Sequence, residues 1–508
     1  MSRTKNVLRN YLWQNLNTLL TALFNFILRT CLIKTLGSTY VGINSLFSNI
    51  LGTLSLAELG IASAISFSLY EPLANNDVIK IQKLVNFYRN AYRMVAAVVL
   101  VVGCSLIPFL PKIAKGSEGV EHLAFVYCLY VFNTVTSYLL TYKSTLLSAD
   151  QKNYLLNNIN MVFGVITMAF QISTLLIWKN YVLYMLISSV VGLIRNIFIN
   201  VYCGKKYPYI TEHNSQKLSK NEKNSIFSKI KSLMYHQIGT VAITQTDSII
   251  TSSIINVDMV GLVANYNMII SFIRTASSNL FFVMTPSIGN LMATSDRDKV
   301  LSRYKVIEFI NFWLNSFTSI SLFFLLTPFV KIWIGNDYSL SDYLVLLLVI
   351  NYYTGVSRMP MSTTRQAAGV FEPDRFSPII ESIINLVVSI VFAKKIGIVG
   401  IYLGTLFSSL VPIIWCPIVV NKYVFKISSK DYFIKYFIRL LIVFAEGFAM
   451  YLLFSYVAFN NLFIDIIFRA FICLIVPNLV IFALYSKTDD FKYVIGLIKT
   501  KFIAKIKR

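Results

Sequence analysis

The chain has 508 residues, of which 56% are hydrophobic and only 14% are charged, well below the roughly 25% charged residues of soluble domains. This composition excludes an ordinary soluble globular protein and is typical of a chain with many membrane spans. The net charge of +23 would suit a nucleic-acid-binding protein. The basic residues lie in short connections between hydrophobic segments, as in the cytoplasmic loops of membrane proteins, so we expect no nucleic-acid partner.

Hydrophobic segments recur along the chain and predict about fourteen transmembrane helices in an all-α polytopic membrane protein. A short basic segment, residues 1–9, leads directly into the first span, and we expect no cleavable signal peptide. The centres of the predicted spans lie near Phe24, Leu54, Val99, Val131, Ile166, Ser189, Thr244, Ile270, Ser321, Tyr352, Val387, Leu410, Ala449 and Leu474.

The longest polar connection, residues 204–232, divides the predicted spans into two halves and is strongly basic. We therefore predict an N-terminal lobe over residues 1–203, a basic cytoplasmic loop over 204–232 and a C-terminal lobe over 233–425. Because each lobe has an even number of spans, about six, the two lobes are expected to be parallel repeats related by a pseudo-twofold axis.

The remaining segments lie outside the predicted repeat. Residues 426–486 contain two additional spans, and residues 487–508 form a basic amphipathic tail. Such a tail suits the surface of a membrane that contains anionic lipids. The distribution of basic loops predicts a multi-pass membrane protein with both termini in the cytoplasm.

Several predicted spans carry polar residues at intervals of three or four, which places them on one face of an otherwise apolar helix. In the first span this stripe ends at Arg29, and later stripes contain Arg274, Arg358 and Arg365. An arginine at membrane depth costs at least about 2.5–3.5 kcal/mol, so it persists where it faces water, a partner or a ligand. Guanidinium groups match phosphate oxygens and stay charged. We interpret the stripes as the lining of a cationic cavity at the junction of the two halves.

The predicted site has three groups of residues. The candidates for binding an anionic substrate are Arg29, Arg274, Arg358, Arg365, Lys143 and Asn25. The candidates for the polar cavity lining are Asn44, Ser48, Ser55, Thr240, Thr251, Asn267 and Ser271. The carboxylates Glu58 and Asp247 either couple transport to an ion or hold the arginines by pairing with them, and both hypotheses remain open.

Other intramembrane features are interpreted as structural. Pro360 is expected to kink the tenth span between Arg358 and Arg365. Four charged residues near helix ends or on otherwise apolar faces are interpreted as helix-packing residues: Arg195, Glu381, Glu446 and Arg469.

The sequence shows no pattern that indicates catalysis. It contains no Walker A motif, its three histidines lack metal-ligand spacing, and its six cysteines have no paired spacing. The predicted outside loops are too short for sugar chemistry. We therefore expect no enzyme, no metal and no cofactor.

The segment from Arg29 to Pro72 resembles the first two helices of bacterial polysaccharide repeat-unit flippases. These are the Wzx-type members of the multidrug/oligosaccharidyl-lipid/polysaccharide exporter superfamily, which has a MATE-like fold. Residues 36–42 and 57–64 carry most of the resemblance, and residues 286–290 resemble the counterpart in the second lobe. The resemblance implies two six-helix lobes that alternate between inward-open and outward-open states.

The resemblance also implies a cargo and partners. The cargo would be a polyprenyl-pyrophosphate-linked oligosaccharide for capsule, O-antigen, exopolysaccharide or teichoic-type polymers, with its pyrophosphate in the cationic cavity. A polysaccharide polymerase and chain-length proteins would be partners. A MATE-type small-molecule or drug exporter is the main alternative, although four arginines in stripes disfavour a cation carrier. A membrane polysaccharide polymerase and a non-transporting scaffold are further alternatives.

Overall fold

The computed structural model describes residues 3–58, 60–210, 218–457 and 459–496. Side chains are not described for residues 3–17 and for a few later helical positions, among them Thr240. All regular structure within the described residues is helical. This confirms the all-α fold class expected from the apolar segments.

Packing divides the chain into two compact units, residues 1–264 and residues 265–508. The helices that lie in the first unit are α1 (Arg3–Leu36), α2 (Ser38–Leu54), α3 (Ile61–Ala74), α4 (Val78–Ser105), α5 (Leu110–Ile113), α6 (Leu123–Thr141), α7 (Ser144–Ala149), α8 (Asn153–Ile177), α9 (Tyr181–Lys206) and α10 (Lys220–Ile254). Helix α11 (Val257–Thr294) crosses the boundary between the units.

The second unit continues with seven further helices after α11. They are α12 (Arg297–Trp333), α13 (Asp342–Ser357), α14 (Met359–Ala368), α15 (Ser377–Ile396), α16 (Ile398–Val420), α17 (Lys430–Tyr456) and α18 (Leu462–Tyr485). The lobe boundaries drawn from the sequence at residues 203 and 233 stay a prediction, and α10 packs mainly on α2 and α3 of the first unit.

The predicted second span is broken. Helix α2 ends at Leu54, a short 3-10 turn covers Ser55–Glu58, and α3 begins after Gly60, which has a φ of +77°. Because only glycine adopts this left-handed conformation without strain, Gly60 allows the chain to change direction there. Glu58 therefore lies at a helix break and not within a continuous helix.

Helix α2 and the start of α11 approach each other closely within the first unit. A Cβ atom on Gly42 would lie 2.0 Å from the carbonyl oxygen of Val257, and one on Gly261 would lie 2.2 Å from that of Ser38. The hydroxyl groups of Ser38 and Thr39 donate hydrogen bonds to the carboxylate of Asp258 beside this contact. Small residues allow the two backbones to touch, which is the usual basis of tight helix packing in membranes.

In the second unit, α12 forms the centre on which the last two helices pack. Phe324 of α12 contacts Phe454 of α17 edge to face at 4.9 Å between ring centroids. Phe491 stacks on Trp313 of α12 at 5.6 Å and is buried together with Val494. The first residues of the predicted amphipathic tail thus place their apolar side chains on the protein. Residues 497–508 lie outside the described residues, and the membrane-surface role of the tail stays a prediction.

Among the described residues, eleven helices are long and apolar enough to cross a membrane. The count is twelve if the bent pair Ser38–Glu58 and Ile61–Ala74, with an angle of 47°, forms one span. The chain is therefore a multi-pass membrane protein. Helices α10 and α11 occupy the places of the predicted seventh and eighth spans but are not among these helices, so the count of fourteen stays a prediction.

Candidate functional site

Arg29 lies on α1 among tyrosine side chains of the first unit. Its half-buried guanidinium is within electrostatic range of Tyr130, Tyr181 and Tyr184. Its Nη1 atom is buried and has no hydrogen-bond partner among the residues that the structure describes. A guanidinium cannot lose its proton in a protein. The tyrosine hydroxyl groups therefore solvate this charge only in part, and it can accept an anion.

The predicted lining residues of α2 meet the same tyrosines. The hydroxyl group of Tyr130 donates a hydrogen bond of 2.8 Å to Asn44 Oδ1. Ser48, one turn further along, is exposed. The hydroxyl group of Ser55 instead donates a hydrogen bond of 2.6 Å to the carbonyl oxygen of Gly52, one of the last carbonyl groups of α2. Asn44 and Ser48 thus lie near Arg29, whereas Ser55 belongs to the helix break.

Glu58 accepts a hydrogen bond from the hydroxyl group of Tyr92, and Tyr138 is a second neighbour of its carboxylate. No lysine or arginine forms an ion pair with Glu58 within the part of the chain that the structure describes. Its partners are thus neutral phenols on α4 and α6. The coupling and arginine-orienting hypotheses for Glu58 are both still untested.

Lys143 and Asn25 lie apart from the tyrosine cluster. The Nζ atom of Lys143 donates a hydrogen bond of 3.0 Å to Asn200 Oδ1, just after the end of α6. Asn25 lines a separate cavity formed by α1, α6, α8 and α9. These two candidates therefore do not join Arg29 in one cluster.

On α10, Asp247 is half-buried and lies one turn before the buried Thr251. The hydroxyl group of Thr251 donates to the carbonyl oxygen of Asp247 at 2.7 Å. One position after Asp247, Ser248 accepts a hydrogen bond of 2.7 Å from Asn49 Nδ2 of α2. The side chain of Thr240, the other lining candidate on α10, lies outside the described residues.

In the second unit, Arg274 of α11 is exposed and points along α13. Its Nη2 atom donates a hydrogen bond of 3.4 Å to the carbonyl oxygen of Asn351, and its guanidinium lies 6.0 Å from the ring centroid of Tyr352. Ser271 is exposed and Asn267 is half-buried on the same helix. Arg274 has no carboxylate partner within ion-pair distance among the described side chains.

Arg358 and Arg365 are neutralised within the second unit. Arg358 forms an ion pair of 3.0 Å with the buried Glu381, and Arg365 pairs with Asp374, which is 1% exposed. Arg358 separates α13 from α14, and Pro360 stands in the first turn of α14, so the expected kink is a break in the helix. The two predicted binding arginines of this region thus have carboxylate partners that the helix pattern did not reveal, although Glu381 was recognised as a packing residue.

Two features of the site were missed by reasoning from the sequence. One is the set of tyrosines around Arg29, of which Tyr181 and Tyr184 are three positions apart on α9. That spacing was a usable signal, although apolar helices rich in aromatic residues often show it. The other is the buried ion pair of 2.7 Å between Glu308 and Arg439, whose members are far apart in the chain. Within the described residues, no group of three or more His, Cys, Asp or Glu side chains could hold a metal ion, and the six cysteines are free.

Comparison with known proteins shows which fold this arrangement belongs to. No protein-family model matches the sequence, and no curated protein matches it either. The structure is similar to that of the lipid II flippase MurJ in an inward closed conformation, with a TM-score of 0.66 and 16% identity over 94% of this chain and 99% of that chain. It is also similar to an inward-facing multidrug resistance MATE family transporter of the MOP superfamily, with a TM-score of 0.57 and 13% identity over 79% of this chain and 94% of that chain. The chain therefore has a MATE-like fold.

Proposed function

We propose that the protein is a flippase that moves polyprenyl-pyrophosphate-linked oligosaccharide repeat units across the bacterial cytoplasmic membrane. It would serve the assembly of a surface polysaccharide and would work by alternating access around a cationic cavity. The observation that carries the proposal is that Arg29 in the first unit and Arg274 in the second are cations without a carboxylate partner among the described residues. The fold is similar to that of a lipid II flippase.

The charge of the candidate site supports an anionic cargo. Among the candidates, Arg29 and Arg274 carry positive charges that no carboxylate neutralises within the described residues. Such charges attract an anion and repel an organic cation. A pyrophosphate presents several oxygens to which a guanidinium donates paired hydrogen bonds. This is why we favour the flippase over a MATE-type drug exporter, and a transporter over an enzyme.

The proposal is tested by replacing the two unpaired arginines. We expect Arg29→Ala or Arg274→Ala to slow flipping about tenfold to a hundredfold, since a hydrogen bond to a charged group is worth about 1.5–3 kcal/mol. Arg29→Lys and Arg274→Lys should recover part of the rate, because lysine keeps the charge and loses the planar fork. The measurement is flipping of a fluorescent polyprenyl-pyrophosphate oligosaccharide in proteoliposomes, detected with a membrane-impermeant quencher.

The matched control is Arg297→Ala, which removes an exposed arginine at the start of α12. This variant should flip at the rate of the unmodified protein. If the Arg29 and Arg274 variants insert at normal levels and also flip at that rate, the proposal is wrong. If they fail to insert, Arg29→Lys and Arg274→Lys decide the question, because the proposal requires them to insert and to flip more slowly.

A substitution of Asp247 distinguishes the two hypotheses for the carboxylates, which are ion coupling and arginine orienting. Asp247→Asn keeps size and hydrogen bonding but cannot carry a proton. An ion-coupling role predicts that this variant loses stimulation by an imposed gradient and keeps gradient-independent exchange. An arginine-orienting role predicts nearly full flipping at every gradient. The described residues show no carboxylate paired with Arg29 or Arg274, so the response of Asp247→Asn to the gradient decides between the two roles.

A further inference from the structure

The first unit contains a cavity that is separate from the tyrosine cluster around Arg29. It has a volume of about 420 Å³ and lies between α1, α6, α8 and α9. Its wall is rich in amide and hydroxyl side chains, which are Thr21, Asn25, Asn133, Asn160, Thr167, Gln171, Ser188 and Asn196. The cavity is partly open, since Asn25 and Asn160 in its wall are exposed. A wall with this many hydrogen-bonding groups favours polar contents, either water or a polar ligand.

Among the described residues, Arg195 has the only charged side chain in this wall, and no described carboxylate lines the cavity. One Nη atom of Arg195 contacts Asn196 Oδ1 at 3.3 Å. The Nε atom is buried and has no hydrogen-bond partner among the described residues. The cavity therefore contains one permanent positive charge whose donors are not saturated by the protein.

An unpaired charge in a membrane helix is costly unless an opposite charge or water accompanies it. The amide groups of Asn25, Asn133, Asn160 and Gln171 can each donate hydrogen bonds, and an anion accepts them without needing a donor of its own. One guanidinium neutralises one negative charge. A pyrophosphate, with two or more charges, would leave charge unbalanced in this wall, whereas a monovalent anion would not.

We propose that this cavity is a binding site for a monovalent inorganic anion, with chloride as the representative, held by Arg195. The site contains Asn25 but neither Arg29 nor Arg274, and the proposal does not depend on the flippase proposal. The sequence pattern had suggested a helix-packing role for Arg195, because the residue stands on a largely apolar helix. The cavity that three other helices form around it could not be seen from that pattern.

The experiment measures anion binding to the purified full-length protein in detergent. Chloride replaces gluconate at constant ionic strength while thermal unfolding is followed. We expect Tm to rise with chloride and to saturate, because a ligand that binds only the folded state stabilises it by mass action. Bromide should act in the same way, and its anomalous scattering in crystals should place it beside Arg195.

Two variants and one control make the test specific. Arg195→Gln should lose the chloride-dependent rise in Tm. Gly164→Leu should lose it too while keeping Arg195, because Gly164 lines the cavity and a Cβ atom there meets nothing within 4 Å. The control Arg93→Gln removes an exposed arginine of α4 and should keep the full response.

The proposal fails if the unmodified protein shows no saturable response to chloride at constant ionic strength. It also fails if the response survives in Gly164→Leu or in folded Arg195→Gln. Should inorganic phosphate or pyrophosphate bind at lower concentration than chloride and compete with it, the monovalent assignment is wrong. None of these outcomes decides the flippase proposal, which is measured by lipid transport through Arg29 and Arg274.

Discussion

The two units hold their arginines in different ways. In the second unit, Arg358, Arg365, Arg439 and Arg469 each pair with a carboxylate of the same unit. In the first unit, Arg29 and Arg195 lie among tyrosines and amides, and the ion pairs of its described residues involve lysines, Lys80 and Lys152. The charge of a paired arginine is largely compensated by its carboxylate partner. The charge of an arginine among neutral groups is not compensated. Among the described residues, carboxylates thus neutralise four arginines of the second unit, whereas Arg29 and Arg195 of the first unit and Arg274 of the second have no carboxylate partner.

Breaking a buried ion pair of the second unit should have the largest effect. Asp374→Ala leaves Arg365 in place without its partner, and removal of one member of a buried pair typically costs about 3–5 kcal/mol. We expect a large fall in Tm in detergent and a low protein level in the membrane. Arg195→Gln, which breaks no ion pair, should cost much less.

The double variant Arg365→Met with Asp374→Leu sharpens this test. It removes both charges together, so stability should recover most of the loss caused by Asp374→Ala. If Asp374→Ala and Arg195→Gln lower Tm by similar amounts, the arginines of the two units do not differ in how much their partners contribute to stability.

Glycine substitutions compare a tight and an open part of the first unit. Gly261→Ala places a Cβ atom 2.2 Å from the carbonyl oxygen of Ser38, and overpacking of this kind costs about 1–3 kcal/mol. Gly164→Ala meets nothing within 4 Å and should be neutral or stabilising by up to about 1 kcal/mol, since alanine favours the helix. Thermal unfolding of both variants is the measurement. Equal losses would show that the cavity wall is as tightly packed as the contact between α2 and α11.

A neutral contact in the first unit should be worth far less than an ion pair in the second. Asn49→Ala removes the hydrogen bond from Asn49 Nδ2 to Ser248, and such bonds between membrane helices average about 0.6 kcal/mol. A double-mutant cycle with Asn49→Ala and Ser248→Ala should therefore give a coupling energy of about 0.6 kcal/mol. A coupling energy of several kcal/mol would mean that a neutral hydrogen bond in the first unit contributes as much to stability as an ion pair in the second unit.

The smallest effect is expected at the start of α10. The backbone N–H of Ser219 donates a hydrogen bond of 2.8 Å to Glu222, and hydrogen bonds from the Ser219 backbone and side chain lower the pKa of the Glu222 carboxyl. Because this pKa is lowered on folding, the capping contribution is present at neutral pH and is lost as the pH falls through the lowered pKa. Hydrogen exchange at residues 220–223 should therefore quicken, relative to the intrinsic rate, in acid.

Glu222→Gln provides the control for this titration. Its amide does not titrate, so exchange relative to the intrinsic rate should show no such acid transition. If the transition persists in this variant, another group is responsible.

Periodicity was enough to predict the fold class, because apolar helices of membrane length are specified by local sequence alone. A kink at Pro360 was predicted because a proline within a helix removes a backbone hydrogen bond, and the structure has a helix break at Arg358, two positions earlier. The helix break at Gly60 was not predicted. The helical spacing of apolar and polar residues continues through residues 55–61, although the α-helix is interrupted there. The membrane-span count depends on α10 and α11, where polar residues interrupt the apolar pattern.

The site was predicted only in part, because a stripe shows which residues share a face and not which residues they meet. Arg29 and Arg274 have no carboxylate partner among the described residues, and their role in binding a ligand stays a prediction. Arg358 and Arg365 belong to the same kind of stripe, but Glu381 and Asp374 on other segments neutralise them. Arg195 shows the opposite case, because it lies on a largely apolar helix and is still the only charged residue that the described part of the chain contributes to the cavity wall. Long-range contacts decide each outcome, and a single sequence does not contain them.

We propose that the protein transports an anionic lipid-linked glycan, and a competition experiment in proteoliposomes tests this proposal. The same preparation is given a fluorescent polyprenyl-pyrophosphate oligosaccharide and, separately, a fluorescent organic cation of the kind that drug exporters carry. The account predicts that the oligosaccharide is flipped, that excess unlabelled polyprenyl-pyrophosphate glycan suppresses this flipping, and that the cation is not transported. Transport of the cation without flipping of the lipid-linked glycan would contradict the account and identify a drug exporter.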